Sequence, residues 1–114
     1  MAKITNLTFE QLNDESATPV FAYASGNVTV SLTALTGETY TGLTDPKVVK
    51  AVWKLMELGE KAQTTVNLTA ADGDELAAFS AQGMGTFDPA TYQLPLSRSL
   101  RAQIEADPTN LQGQ

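Results

Sequence analysis

The stretch DPKVVKAVWKLMELGEKAQ, residues 45–63, decides the fold class because it carries the strongest helical pattern in the chain. Asp45 followed by Pro46 is typical of a helix start, since Asp caps free N–H groups and Pro at the first position loses no hydrogen bond. The pattern predicts a helix from Pro46 to Gln63. Its apolar residues cover more than half of the circumference, whereas a surface helix needs a stripe of only about 100°. We expect the helix to cover a sheet and keep apolar surface for a second partner.

The polar face of the same helix concentrates positive charge in an acidic chain. Four of the five lysines lie along it, and most such faces are simply solvated surface. The alternative is an electrostatic docking face for the acidic loops of an identical neighbour, where complementary charges set register and partner choice. The four lysines are Lys47, Lys50, Lys54 and Lys61.

A β-hairpin is predicted on the N-terminal side of the helix, over Val20–Leu35. Its turn is Ser25-Gly26-Asn27, since Gly and Asn tolerate the positive φ of tight hairpins. Apolar residues at Val28, Val30 and Leu32 alternate with Thr and Ser, which is the period of a half-buried strand. Further upstream, we expect a short strand over Lys3–Phe9 and a polar loop over Gln11–Thr18.

The segments after the helix give weaker signals. Pro95 removes a backbone donor, so the alternating stretch Tyr92–Leu96 is expected at a sheet edge. The other expectations are a strand over Thr64–Thr69, a turn at Asp72-Gly73-Asp74, a loop over Gln82–Ala90 and a short helix over Leu100–Glu105.

Together these elements predict an α+β fold in which a small antiparallel β-sheet with a β-hairpin packs against one main α-helix. A chain of 114 residues is typical of one domain. We place that domain at residues 1–105, with extended polar termini and a C-terminal tail over residues 106–114.

Composition excludes several kinds of chemistry. The chain has no His and no Cys, so the commonest general base and metal ligand and every thiolate site are missing. The Asp-Gly-Asp-Glu run at residues 72–75 fails the ligand spacing of a calcium loop, because Gly83 takes the place of the bidentate Glu. We therefore predict no enzyme activity and no catalytic, cofactor-binding or metal-binding residues, and hence no cofactor.

The charge balance and the hydropathy limit the partners. A net charge of −6 disfavours nucleic acid and anionic membranes, which are bound through positive surface. No window approaches the roughly 18 apolar residues of a membrane span, and the first residues lack the apolar stretch of a secretory signal. Proteins remain as partners, and the side chains predicted at an interface are Val49, Trp53, Met56, Leu58, Tyr92, Leu94 and Leu96.

The chain resembles small bacteriophage virion proteins in overall style. The resemblance rests on an acidic chain free of Cys and His, a Thr-rich strand such as Asn27–Thr33, one central helix and polar ends. It implies a non-enzymatic structural role, such as a capsid decoration or cement protein that oligomerises or docks on a repetitive surface. The partners would be further copies or major capsid or tail proteins, within a virion assembled in the host cytoplasm.

Three alternatives remain open from the sequence. One is a phage tail or connector protein. Another is a small cytoplasmic, homo-oligomeric binding module with a groove beside Trp53, since Trp is enriched at binding hot spots. An enzyme that uses carboxylates is the least favoured, because thirteen acidic residues supply arbitrary pairs without defined geometry.

Overall fold

The computed structural model describes residues 4–101. Helices and short antiparallel strands are combined there, with one helix far longer than the rest, so the predicted α+β class is confirmed. In chain order the elements are α1 (Phe9–Asn13), β1 (Phe21–Ala24), β2 (Asn27–Val30), α2 (Leu32–Thr36), α3 (Val48–Asn67), β3 (Gly83–Met84) and β4 (Leu96–Ser97).

Helix α3 is the predicted main helix, but both of its ends differ from the prediction. Asp45 does not cap it: its carboxylate accepts hydrogen bonds from the backbone N–H of Thr41 at 2.6 Å and from Thr41 Oγ1 at 2.5 Å. These bonds to Thr41 lower the pKa of Asp45. At the other end the helix continues to Asn67, so the strand predicted over Thr64–Thr69 is wrong. The Thr64 hydroxyl donates to the Glu60 carbonyl at 3.0 Å, and helix packing overrides the strand preference of Thr and Val.

The hairpin is confirmed for Phe21–Val30, with Phe21 opposite Val30 and Ala24 opposite Asn27. Its predicted extension to Leu35 is wrong, because Leu32–Thr36 form helix α2. Ser25 and Gly26 form the turn with φ of 51° and 84°, which is the left-handed pair that a tight hairpin needs. The prediction that the second strand is half-buried is wrong, because β2 is exposed along its whole length. The chain then leaves the hairpin, and Ser31 caps α2 by accepting a hydrogen bond from Ala34 N–H.

Helix α1 occupies the place where a strand and a loop were predicted. Thr8 and Gln11 form a capping box, in which the Gln11 N–H donates to Thr8 Oγ1 at 3.1 Å and the Thr8 N–H donates to Gln11 Oε1 at 2.8 Å. This reciprocal pair starts a helix at Phe9. Residues 4–8 contain no strand, so the prediction over Lys3–Phe9 is wrong for them, and Lys3 lies outside the described residues.

The core lies at the C-terminal half of α3. Side chains from α1, from the start of the hairpin and from α3 meet there, and Leu7, Ala34 and Leu35 pack around them. The cluster is small for a domain of this length, which leaves little apolar burial to offset chain entropy. Its buried members are Leu12, Val20, Phe21, Leu58 and Ala62.

The last described segment folds into an antiparallel ribbon over residues 79–100, here called the C-terminal ribbon. Its pairs are Phe79 with Leu100, Gly83 with Ser97, Met84 with Leu96, and Asp88 with Gln93. Between the first and second pairs, and between the third and fourth, one more residue lies on the outgoing segment than on the returning one. Each extra residue forms a bulge, which bends such a ribbon.

The C-terminal ribbon differs from the elements that the sequence predicts after residue 82. The loop expected over Gln82–Ala90 contributes β3, and the returning strand lies at Leu96–Ser97 instead of spanning Tyr92–Leu96. Leu100 pairs with Phe79, so the helix predicted from Leu100 does not begin there. The rest of that helix, the boundary at residue 105 and the tail over residues 106–114 lie outside the described residues.

Candidate protein-binding groove

Four of the seven side chains predicted at an interface line one open groove of about 600 Å³. Val49 and Trp53 lie one turn apart on α3, so they share a face of the helix. Leu94 and Leu96 stand two residues apart on the returning segment of the C-terminal ribbon, so they point to the same side. The remaining lining residues are Glu38, Pro46, Lys47 and Lys50.

Arg98 holds the ribbon beside α3 and so defines one wall of the groove. Its side chain is only 5% exposed, and Nη1 lies 2.6 Å from Glu60 Oε1 while Nη2 lies 3.5 Å from Glu57 Oε2. The guanidinium also lies 4.9 Å above the Trp53 ring, a favourable cation–π geometry. Arg98 Nε is buried without a hydrogen-bond partner among the described residues. The ion pairs therefore position both the ribbon and the Trp53 ring.

Side-chain amides of α3 hold the segment that leads into the ribbon. Gln63 Oε1 accepts hydrogen bonds from the N–H groups of Ala78 and Phe79, at 2.8 and 2.9 Å, and Gln63 Nε2 donates to the Phe79 carbonyl at 2.9 Å. Asn67 binds the N–H and the carbonyl of Leu76, both at 2.8 Å. Each amide replaces the hydrogen bonds that a neighbouring strand would supply.

The same arrangement recurs at the start of the hairpin. Asn13 Oδ1 accepts from the N–H groups of Val20 and Phe21, and its Nδ2 donates to the Phe21 carbonyl at 2.9 Å. Sequence reasoning missed all three amides. A usable signal existed in Gln63 and Asn67, which are spaced by four residues and so lie on one face of the helix.

Gly59 explains how closely the ribbon approaches α3. A Cβ atom at this position would clash with the Phe79 ring. The absence of a side chain therefore lets the ring pack directly on the helix backbone. This contact covers the face of α3 at Gly59.

The rim of the groove is basic at the start of α3. Lys47 Nζ donates to the Thr39 carbonyl at 3.0 Å and lies 5.4 Å from the centre of the Tyr40 ring. Lys50 Nζ lies 3.6 Å from Glu38 Oε1, and both side chains remain substantially exposed. Exposed pairs of this kind are weak, so an incoming acidic group can compete for Lys50.

The other three predicted interface residues do not line this groove. Leu58 is buried in the core, so its assignment to an interface is wrong. Met56 is half-buried on α3, beyond the groove. Tyr92 is exposed in the turn of the ribbon, where it has a φ of 56° and packs edge-on against Phe87.

An apolar strip adjoins the groove on the N-terminal half of α3. Val49 is 83% exposed, Val48 70% and Val52 50%, and Leu55 is also exposed. Large apolar patches on monomers mark interaction sites more often than single exposed side chains do. The strip and the groove together form one apolar surface, here called the α3 face: Val48, Val49, Val52, Trp53, Leu55, Leu94 and Leu96.

Residues 4–101 were also searched for metal sites and for membrane-spanning helices. No group of three or more acidic side chains is placed to hold a metal ion in that range. None of the helices there combines the length and the apolarity needed to cross a membrane.

Comparisons with protein-family models, with curated proteins and with solved structures found no match to this chain.

Proposed function

We propose that this chain is a non-enzymatic assembly protein that binds protein partners, including further copies of itself, through the α3 face. The observation that carries the proposal is the exposure of Val48, Val49 and Val52 on a helix that buries Leu58, Gly59 and Ala62 in its C-terminal half. Burial of apolar surface contributes about 25 cal/mol per Å², so covering these side chains favours association.

The groove beside the strip adds a feature typical of binding hot spots. Trp53 is half-buried, and its ring is held by Arg98 before any partner arrives. Aromatic side chains that are already positioned lose little conformational freedom on binding. A standard interface buries about 800 Å² per partner, and we infer that the α3 face forms the apolar centre of a patch of this size.

The proposed context is a bacteriophage virion, with this chain as a capsid decoration or cement protein. The small core of the described residues supports such a role, because a subunit with few buried side chains gains stability by burying more surface on its neighbours. A tail or connector protein would use the same surface in a different part of the particle.

A small cytoplasmic homo-oligomeric module is the second candidate, and the groove beside Trp53 favours it. Mass spectrometry of particles purified from the native source separates the two. High copy number in the particles supports the virion proposal, whereas its absence from them favours the second candidate.

The assembly proposal is tested by light scattering coupled to size-exclusion chromatography on the full chain. We expect concentration-dependent association that Val49→Asp or Val52→Asp abolishes without a change in the circular dichroism spectrum. Leu43→Asp is the matched control, because Leu43 is fully exposed and lies outside the α3 face. A strict monomer at all concentrations, or association that survives both variants, would contradict the proposal.

A further inference from the structure

We infer that the groove binds residues 102–114 of a neighbouring copy, an inference that rests on the proposed assembly function. The groove supplies an apolar floor of Val49, Trp53, Leu94 and Leu96. Lys47 and Lys50 also line it, and with Glu38, which lies 3.6 Å from Lys50, they leave the lining with a net positive charge. Its ligand should therefore be a short peptide that carries both apolar and acidic side chains.

The segment that follows the ribbon has this composition. Its sequence, AQIEADPTNLQGQ, contains Ile104 and Leu111 as apolar residues, Glu105 and Asp107 as acids, and no Lys or Arg. The chain as a whole has a net charge of −6, so a basic rim is the exception on its surface and favours an acidic partner. The apolar residues would supply affinity, and the acids would set the register on the rim.

The direction of the chain favours a neighbour's segment over the subunit's own. Leu94 and Leu96 lie beside the start of α3, whereas Arg98 lies beside Glu57 and Glu60, further along the helix. Up to Arg101 the chain therefore runs away from the groove, so the residues that follow would have to turn back to enter the groove of their own subunit. Thirteen extended residues reach about 40 Å, which is enough to enter an adjacent subunit.

The binding test uses the full chain and a charge exchange. Lys50→Glu reverses the rim, and the pair Glu105→Lys with Asp107→Lys reverses the segment. Either set alone should weaken self-association about tenfold, because like charges replace attractive ones. Lys61→Glu is the control, since Lys61 is an exposed lysine of α3 outside the groove. We expect this control to associate like the wild type.

Mixing the two reversed chains decides where the segment binds. If it binds in a neighbour, the mixture recovers association, because the basic segment of one variant meets the acidic rim of the other. Recovery that requires both sets of changes in the same chain would show binding within one subunit and overturn the inference.

Trp53 is the one tryptophan of the chain and reports on the groove directly. A synthetic peptide of residues 102–114 should change its fluorescence and dissociate the assembled protein. The Val49→Asp chain should show neither effect. If Val49→Asp abolishes association while the peptide and the reversed segment have no effect, the inference fails and the assembly function stands. If the wild type never associates, both fail.

Discussion

The two halves of α3 have similar apolar patterns but different surroundings. In the C-terminal half, Leu58 and Ala62 lie in the core and Gly59 packs under Phe79. In the N-terminal half, Val48, Val49 and Val52 are exposed. An amphipathic pattern therefore identifies an apolar surface that needs a partner. It does not show whether that partner is another part of the same chain.

The two halves differ in exposure because different segments of the chain pack against them. The C-terminal half carries Gln63 and Asn67, which bind an extended segment of the same chain through its backbone. The N-terminal half has no such amides, and the ribbon reaches it only along one side, at Leu94 and Leu96. Substitutions in the two halves should therefore have separable effects on stability and on association.

The largest expected effect is at Leu58. Leu58→Ala should lower the free energy of unfolding by about 2–5 kcal/mol, because it leaves a cavity in a small core. Val52→Ala, six residues away on the same helix, should change it by less than about 0.5 kcal/mol. Urea unfolding followed by circular dichroism measures both, in dilute solution where association is absent. Equal losses would remove the distinction between the two halves.

The amide of Gln63 comes next. Gln63→Ala removes three hydrogen bonds to Ala78 and Phe79 and should cost about 1–3 kcal/mol, since those backbone groups lose their partners. Lys61→Ala is the control on the exposed side of the helix. Hydrogen exchange should accelerate at Ala78 and Phe79 in the first variant alone. Unchanged protection there would show that the amide does not hold this segment.

Arg98 should have a smaller effect on stability and a distinct effect on the groove. Arg98→Met keeps much of the side-chain volume but removes the pairs to Glu57 and Glu60. Because both carboxylates can be solvated, we expect a loss of about 1–2 kcal/mol, below the 3–5 kcal/mol typical of fully buried pairs. Trp53 emission should shift to longer wavelength as the ribbon moves away. An unchanged emission spectrum would argue against the contact between Arg98 and Trp53.

The smallest effect concerns Asp45. Its pKa is lowered in the folded chain by the hydrogen bonds from Thr41. A lowered pKa in the folded state stabilises the fold above the unfolded-state pKa, and this contribution is lost as pH falls through the folded-state pKa. The stability difference between the wild type and Asp45→Asn should therefore shrink as the solution is acidified. If the stability difference between the two proteins grew towards low pH, the lowered pKa of Asp45 would not be its cause.

The sequence predicted the elements whose signals are local. The hairpin follows from Ser25-Gly26 and the flanking β-prone residues, and the main helix follows from its apolar period. Its end was misplaced because Thr64, Thr65 and Val66 prefer strands, while the amides on either side of them bind the following segment. Such contacts join residues distant in sequence and leave no periodic signal.

The groove was partly predictable, because some of its residues belong to local sequence patterns. Val49 and Trp53 were recognised from the width of the apolar face, and Leu94 and Leu96 from strand alternation. Their meeting depends on Arg98 and on the bulges of the ribbon, which no pattern indicated. Leu58 was misassigned because the helical period shows only which face of the helix a residue lies on. It does not show which other segments of the chain pack against that face at a given turn.

Sedimentation equilibrium of the full chain, compared with the Val49→Asp/Val52→Asp double variant, shows whether the α3 face mediates association. We expect the wild type to associate as its concentration rises and the double variant to stay monomeric with an unchanged melting temperature. A wild type that remains monomeric throughout, or a double variant that associates equally well, would contradict the claim that the α3 face is an assembly surface.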